Sequence, residues 1–492
     1  MFLFRIITIL LSFLSFILSI NEKEMIVFPF KPIPLSFLSD YNNKIMDNET
    51  SENYNQTKFL DEHYIIRFFS PLKIGTPPQD IVGFINPDID NLLIGEIVEL
   101  PEKIFPDSFY KGYKYNTSSS FINKTSQNNL PVIDRNKFIG QEKICLYKDI
   151  DNIKNNNYSC FQNFTLVADN RINNNKDFSY GLVIGLVLEE RNYQTNFMKQ
   201  IKQKNIISSY LYSFEYINEN EGLFIIGQYP HEYSPDKYKE SQLKTLYPDK
   251  PSMDDFGINF DEIYSFINNG KVVVEENIKA KLLFNLGLII GTNNYMIFIE
   301  NLFFNQLIYT NICEKNYINL DFDVITIYSC NDKDNLNFEN FPILYFQIKT
   351  ANLTFEFNYK DLFKKINNKY YFLIIFHSYE NDIWSFGRPF TLKYTYIYNA
   401  DKKMLGFYEK EKEKDNKDEE KEKDNNNGNK DSIFELDPFK IIILIVLFLI
   451  FISLVIVVSY YFGKKCNSKR KSHANELDDN FEYFPNDESI NK

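Results

Sequence analysis

Short apolar runs separated by polar turn residues fill the chain between residues 63 and 407. The runs are rich in β-branched and aromatic residues and are bounded by Asn, Asp, Gly and Pro, a pattern that is typical of strands. Strands are predicted, among other places, at residues 64–69, 223–227, 271–274 and 394–398. One amphipathic stretch, residues 196–204, carries lysine in its last turn and predicts a helix. The pattern as a whole predicts an all-β body.

The N-terminus has the pattern of a secretory signal peptide. Arg5 precedes an apolar run at residues 6–20, and a polar stretch follows at residues 21–24. A single basic residue, an apolar run of this length and a polar exit are typical of a cleaved signal. An uncleaved signal anchor is the alternative.

A second apolar run near the C-terminus predicts a transmembrane helix. Residues 441–462 form 22 positions without a charge, and at about 1.5 Å per residue they cover a bilayer core of roughly 30 Å. A basic cluster follows at residues 464–471, whereas the preceding flank is mostly acidic. The positive-inside rule then leaves the tail in the cytoplasm and the large domain lumenal or extracellular. A buried core helix is the alternative, but such a helix does not normally end in a basic cluster.

Composition narrows the classes of function. The chain has 492 residues, 44% of them apolar, and a formal net charge of −12. This length exceeds what one core usually holds, so we expect two lobes with appendages. No basic stripe runs through the body, so nucleic acid is not an expected partner. The four histidines are scattered without zinc spacing, and we expect no metal and no cofactor.

Five cysteines fit a lumenal domain with a short cytoplasmic tail. Cys145 and Cys160 are close in sequence, as are Cys313 and Cys330. In an oxidising compartment we expect these two local disulfides, each contributing on the order of 3 kcal/mol. Cys466 lies beside the predicted membrane segment, where it is either S-palmitoylated or an unmodified thiol.

Glycosylation acceptor sequences occur only in the part that we expect to be lumenal. An Asn-rich chain produces several by chance, so their number carries little weight. The acceptor residues are Asn48, Asn55, Asn116, Asn123, Asn157, Asn163 and Asn352.

Several motifs of the first half resemble the pepsin family of aspartic proteases. Residues 74–79 read I-G-T-P-P-Q and precede an apolar run, as they do ahead of the family's first catalytic loop. With Asn91 and Leu92 as the anchor, the family's catalytic aspartate position falls on Asn86 without a gap. Residues 115–121 resemble the segment before the family's flap, and residues 178–186 are similar to its F-D-G-I-L-G-L strand. The flap tyrosine position falls near Asp134, where residues 130–135 contain no tyrosine.

The second half continues the resemblance in the family's order. Residues 281–290 resemble the apolar run into the second catalytic motif, and its aspartate position falls on Asn285. The second cysteine pair, followed by residues 341–344, resembles the disulfide region of the family's C-terminal lobe. Residues 384–390 and 394–407 are close to its closing signature. The resemblance spans residues 63–408 and implies a bilobal, all-β fold with a cleft between two lobes.

The resemblance also implies that catalysis is lost. Members of the family share one proton between two carboxylates around a lytic water. An asparagine carboxamide has no proton to exchange in the working pH range. The hydroxyl residues of the two motifs are also missing, since their positions hold Pro87, Leu286 and Leu288. We therefore expect a monomeric domain whose cleft binds extended peptides or proteins without cutting them.

Two alternatives stay open. In the first alternative Asp88 and Asp90 serve as displaced catalytic acids of a working aspartic endopeptidase, although turn chemistry explains these two residues as well. The other alternative is a structural surface protein whose cleft has no ligand. The tail residues 481–484 fit either a sorting signal or an unstructured tail.

These patterns divide the chain into seven parts. They are a signal peptide (1–20), a leader or propeptide-like segment (21–62), an N-terminal lobe (63–238), a C-terminal lobe (239–408), a charged stalk (409–438), a transmembrane helix (439–462) and a cytoplasmic tail (463–492).

Overall fold

Strands with buried apolar side chains make up most of the structure, a computed structural model. It describes residues 25–34, 56–86, 89, 91–96, 113–124, 137–169, 180–188, 194–248, 257–320, 323–332, 336–378 and 382–409. All of them belong to the unit Met1–Lys412, and the second unit, Glu413–Lys492, lies outside them.

The strands are numbered in chain order. The first eleven are β1 (Ile26–Pro34), β2 (Ile66–Ile74), β3 (Gln79–Asn86), β4 (Leu92–Glu96), β5 (Ile122–Asn123), β6 (Lys137–Leu146), β7 (Ser159–Asp169), β8 (Tyr180–Gly185), β9 (Leu211–Asn218), β10 (Glu221–Ile226) and β11 (Lys244–Leu246). The others are β12 (Gly257–Ile267), β13 (Gly270–Leu282), β14 (Ile289–Gly291), β15 (Cys313–Leu320), β16 (Asp323–Asn331), β17 (Leu344–Ile348), β18 (Leu353–Phe357), β19 (Phe363–Ile366), β20 (Lys369–Phe372), β21 (Ile374–His377), β22 (Ile383–Phe386), β23 (Tyr394–Asn399) and β24 (Met404–Glu409).

The helices are short and lie between strands. They are α1 (Gln56–His63), α2 (Ile150–Lys154), α3 (Phe197–Gln203), α4 (Pro230–Tyr233), α5 (Asn293–Ile299), α6 (Asn305–Tyr309), α7 (Tyr359–Leu362) and α8 (Arg388–Lys393). The π-helical turn Glu300–Phe304 joins α5 to α6. Single 3-10 turns occur at Tyr115–Thr117, Glu240–Gln242 and Phe338–Asn340.

Two sheets carry the fold. The first has 13 strands in the order β11-β24-β23-β9-β10-β1-β2-β3-β8-β4-β7-β6-β5, and the second has 11, built around β12, β13, β22, β14, β21 and β16. The pairing of β9 with β23 joins the early part of the chain to its late part within one sheet. The expected all-β body is confirmed for the described residues.

The same six-strand arrangement occurs once in each sheet. In the first, β2 pairs antiparallel with β3, β3 runs parallel to β8, β8 antiparallel to β4, β4 parallel to β7, and β7 antiparallel to β6. In the second, β12, β13, β22, β14, β21 and β16 follow the same alternation of directions. The chain visits the strands in the same sequence both times. The repeated arrangement is consistent with two related lobes, one built on each sheet.

The segment 21–62 has a polar, irregular pattern in the sequence, yet the structure places a central strand in it. Strand β1 contains three prolines, a composition that argues against a central strand. Residues Ile26 to Phe30 pair with β10, whereas Lys31 to Pro34 pair with β2. Each half of β1 therefore pairs with only one of these two strands. A proline, which has no N–H group to donate, is tolerated at positions whose backbone nitrogen points away from that partner strand.

Other local predictions agree with the structure. The predicted strands coincide with parts of β2, β10, β13 and β23, and the predicted helix is α3, capped by the side chain of Asn196. Both local disulfides are confirmed, each between paired residues of neighbouring strands: Cys145 with Cys160 and Cys313 with Cys330.

Several sequence predictions fall on residues that the structure does not describe. These are the signal peptide, the stalk, the membrane segment, the tail with Cys466, the flap position at Asp134, and Asn48 and Asn55. Among the residues that are described, no helix is long and apolar enough to span a bilayer. The other five acceptor asparagines, Asn116, Asn123, Asn157, Asn163 and Asn352, are all exposed.

Candidate functional site

The first candidate position, Asn86, is the last residue of β3. Its side chain is half-buried, and it pairs with Gly185 of the parallel strand β8. The backbone carbonyl of Asn86 accepts a hydrogen bond from the N–H of Leu186 at 3.2 Å. A side chain at Gly185 would have no room, because a Cβ there would lie 2.5 Å from the carbonyl oxygen of Ile89. The glycine therefore lets β8 approach the loop that follows Asn86.

The second candidate position, Asn285, lies in the loop after β13 and is exposed. Strand β13 runs parallel to β22 up to Leu282, so Asn285 lies beyond the paired residues, whereas Asn86 lies within them. A Cβ at Gly387, just after β22, would lie 2.2 Å from the carbonyl oxygen of Leu288 and 2.3 Å from that of Leu286. In both loops, therefore, a glycine allows the neighbouring strand to approach the loop backbone closely. The two candidate asparagines differ in register, since only Asn86 is paired with that strand.

The start of β2 connects the two loops. The N–H of Ile66 donates to the carbonyl of Asn285 at 2.8 Å, and Ile65 forms a bridge with Leu286. Two residues further along β2, Phe68 pairs with Ile85, the neighbour of Asn86. The backbone thereby holds both loops against one short stretch of β2. A direct hydrogen bond between the two asparagine side chains stays a prediction.

Apolar packing replaces the hydroxyl chemistry that the resemblance would place in the second loop. Leu286 and Leu288 are buried in a cluster with Phe59 and Leu60 of α1. The ring of Phe59 stacks on Tyr371 with 4.4 Å between centroids. A side chain at Gly287 is excluded by the carbonyl oxygen of His63, which would lie 1.8 Å from a Cβ. Helix α1 therefore packs directly on the residues after Asn285.

Two acids that lie near the second loop are paired with lysines. Gly287 lines a cavity together with Glu219 and Asp361, which accept from Lys364 and Lys393 respectively, each at 2.8 Å. The hydrogen bond from Lys364 lowers the pKa of Glu219 below its ordinary value. A general acid at working pH needs a raised pKa, so Glu219 is not suited to that role.

A carboxyl group with a raised pKa lies in the core of the second sheet. Burial raises the pKa of Glu275, which accepts from the indole N–H of Trp384 at 2.9 Å and from the hydroxyl of Thr292. These bonds anchor α5 and β22 to β13, because Thr292 caps α5. Glu275 is 5% exposed, so it has a structural role rather than access to a substrate.

No family model matches the chain, and no curated protein matches it. Among solved structures, the chain is similar to basic 7S globulin from soybean. The two share 9% identity with a TM-score of 0.47, over 78% of this chain and 94% of that chain. A likeness at this level carries no argument about function.

The structure brings together some predicted residues and leaves others outside. Asn86 at the end of β3 and Asn285, Leu286 and Leu288 in the loop after β13 are held around the start of β2. Pro87, Asp88, Asp90 and the flap position near Asp134 lie outside the described residues, so the displaced-acid alternative is not tested there. In the described part of the chain no group of three or more potential ligands forms a metal site.

Sequence reasoning missed α1 and the cavity beside it. The signal for α1 was present, because Phe59 and Leu60 are the apolar pair of an otherwise polar stretch that ends before β2. The cavity joins side chains that are far apart in sequence, among them His63, Glu219 and Arg388. Only the folded chain shows that they meet.

Proposed function

We propose that the chain is a pepsin-like domain without proteolytic activity, held at a membrane by one C-terminal helix, whose cleft binds extended peptides or proteins. The proposal is carried by the sequence resemblance, in which Asn86 and Asn285 fall at the two positions where the family has its catalytic aspartates. The duplicated six-strand arrangement supports it, because Asn86 is the last residue of β3 and Asn285 lies in the loop after β13, the corresponding strand of the second copy.

The chemistry follows from the side chains. Peptide hydrolysis of this type needs one carboxylate to deprotonate water and a second, protonated carboxyl to polarise the scissile carbonyl. Each proton-transfer role is typically worth a factor of about 10²–10⁴ in rate. An asparagine donates and accepts hydrogen bonds but transfers no proton. Two facing amides preserve the contact between lobes without burying charge.

Peptide binding does not require these carboxylates. An extended segment can add to the edge of a sheet through main-chain hydrogen bonds, with side-chain pockets giving specificity. The two disulfides support a secretory location, because such bonds persist in oxidising compartments. The signal peptide and membrane helix expected from the sequence agree with that location.

The first experiment asks whether the protein cuts peptides. Full-length protein in detergent is incubated with an unstructured polypeptide from pH 3 to 7, beside an active pepsin-type enzyme as positive control. We expect no cleavage above that of a buffer blank. Cleavage that pepstatin blocks would overturn the proposal and return the active endopeptidase.

The second experiment asks whether the cleft binds anything. Displayed random peptides are selected on the same full-length protein, and bound sequences are compared with those selected on detergent-matched bilayer discs. Enrichment of a shared extended motif is expected. Failure to enrich any motif would favour the structural surface protein without a cleft ligand.

A double variant tests whether the two candidate positions face each other. Asn86→Asp with Asn285→Asp would place two carboxylates within one site, and like charges about 3 Å apart cannot both ionise. We expect one carboxyl of the variant to titrate well above the ordinary aspartate range, as followed by carboxyl-selective NMR. Two independent carboxyls with ordinary pKa values would contradict the proposed cleft geometry.

A further inference from the structure

A charged cavity of about 480 Å³ lies where the end of α1, the β9–β10 turn and the start of α8 meet. Gly287 of the second loop is part of its wall, so the cavity adjoins the candidate site. Its charged and titratable residues are His63, Glu219, Lys360, Asp361, Lys364, Lys365, Arg388, Lys393 and Glu409. Five of these side chains are cationic and three are anionic, with His63 as the ninth, so positive charge predominates.

Three of the lysines are already paired with carboxylates. Lys364 binds Glu219 at 2.8 Å, and Lys393 binds Asp361 at 2.8 Å and Glu356, outside the cavity, at 3.7 Å. Lys365 binds a carboxylate outside the cavity, that of Asp332, at 2.5 Å. Within the described chain no salt bridge joins Lys360 or Arg388 to a carboxylate, although the charge of Arg388 acts on the carboxylate of Glu219 and lowers its pKa.

The guanidinium of Arg388 is fixed in place but incompletely bonded. One of its terminal nitrogens donates to the backbone carbonyl of Glu219. Its central carbon lies 5.4 Å from the ring centroid of Tyr216, a side chain that is 2% exposed. Its Nε is buried and has no hydrogen-bond partner among the described residues. The Nε has almost no accessible surface, so an anion in the cavity would meet the guanidinium through its terminal nitrogens. A carboxylate or phosphate is the acceptor that best fits the planar guanidinium group.

His63 lies beside Arg388 as a neutral ring. Its Nδ1 is 3.1 Å from the carbonyl oxygen of Phe59, and since a carbonyl only accepts, Nδ1 carries the proton. Burial, together with the positive charges of Lys364 and Arg388, lowers the pKa of His63 to about 4, although the hydrogen bond to Phe59 and the charge of Glu219 oppose this shift. An anion in the cavity would offset these positive charges and raise the pKa of His63. The pKa of His63 therefore shows whether the cavity is occupied.

We propose that this cavity binds an oxyanion, a carboxylate or phosphate group, through the guanidinium of Arg388 with Lys360 as the second cation. This proposal holds whether or not the protein is proteolytically inactive, and it does not depend on peptide binding in the cleft. Bound there, an oxyanion contacts α8 and α7 and lies against the turn after β9. It therefore links elements from the two sheets beside the second loop.

Direct binding is the first test. Inorganic phosphate is titrated into full-length protein by isothermal calorimetry, at low salt because exposed charges are screened. We expect Arg388→Gln to weaken phosphate binding roughly tenfold or more, since hydrogen bonds to charged groups are the strong ones. Lys360→Gln should weaken it less, and the exposed lysine variant Lys244→Gln should bind as the parent does. Equal binding by all four proteins would overturn the proposal.

The histidine signals give a second, site-specific measurement. The chain has four histidines, so a ring-selective NMR spectrum has four signals, and His63→Gln assigns the one needed. Phosphate should raise the pKa of His63 in the parent and leave it unchanged in Arg388→Gln. Retained signals of the other histidines show that each variant is folded. A His63 titration indifferent to phosphate in the parent would refute the proposal.

A third arm separates the two sources of the oxyanion. A short peptide with an acidic residue is compared with its glutamine counterpart, and each is competed against phosphate. Displacement of phosphate by the acidic peptide alone assigns the site to a carboxylate of a bound chain. Phosphate binding that neither peptide displaces assigns it to a phosphate group, and no binding of either class refutes the site.

Discussion

Replacing Phe59 with alanine tests whether α1 is part of the fold or a removable leader. The side chain is fully buried. It stacks on Tyr371 and on His63, with ring centroids 4.4 Å and 4.6 Å apart. Its cluster includes Leu286 and Leu288 of the second loop. If α1 completes this core, truncation leaves a cavity that the packed neighbours cannot fill.

The expected cost is large. Phenylalanine-to-alanine changes in cores typically cost about 3–5 kcal/mol. Helix α1 has eight residues, too few to be stable alone, so its order depends on this packing. Loss of Phe59 should also release the hydrogen bond from the Gln56 side chain to Ser329, 3.0 Å long, at the other end of the helix. We therefore expect a value in the upper part of that range.

Urea unfolding of the full-length protein in detergent measures the effect. Phe59→Ala should lower the free energy of unfolding by several kcal/mol, and protease should then cut near α1 faster than in the parent. Thr57→Ala, on the exposed face of the same helix, is the matched control and should change stability by less than about 0.5 kcal/mol. Equal stability of the two variants would show that α1 is a detachable leader.

Three further predictions follow from the described contacts. Replacing Cys313 and Cys330 together by alanine should cost about 3 kcal/mol in urea unfolding, and no loss would contradict the contribution expected of the disulfide. Gly387→Ala should destabilise the fold because the added Cβ would clash with two backbone oxygens. Gly270→Ala, whose Cβ would lie 3.4 Å from its nearest atom, should be tolerated. Equal melting temperatures of the two variants would contradict this prediction. Because burial and the charges of Lys364 and Arg388 lower the pKa of His63 from 6.5 to about 4, the unfolded chain binds more protons between those values. Stability should fall by on the order of 3 kcal/mol as pH drops through that window, and His63→Gln should remove this part of the pH dependence; an unchanged profile would contradict it.

Local patterns were sufficient to predict the strands with regular composition. Residues 394–398 lie in β23, where every side chain is buried, and residues 223–227 overlap β10. The helix at α3 was predicted from its amphipathic spacing, and in the structure the side chain of Asn196 caps it. The disulfides were predictable because each joins cysteines of two neighbouring strands close in sequence.

The sequence could not show how β1 and α1 enter the fold. Three prolines in β1 argue against a central strand, and only the change of partner from β10 to β2 makes them acceptable. The docking of α1 depends on Leu286 and Leu288, more than two hundred positions later in the chain. Contacts between residues so far apart in sequence form only in the tertiary structure, and the composition of a short segment does not predict them.

The packing of α1 depends on the leucines that stand in the second loop where the resemblance would place hydroxyl residues. A working site of this class needs polar side chains beside its carboxylates, where water can bind. Here the residues after Asn285 are leucines that bury their side chains against Phe59 and Leu60. Restoring threonine at these positions would place hydroxyl groups in an apolar cluster, and burying them without partners costs free energy. The second loop therefore contributes to the core of this protein. Under the proposed function, Asn285→Asp alone is not expected to give proteolytic activity, because Asn86 would still lack a carboxyl group.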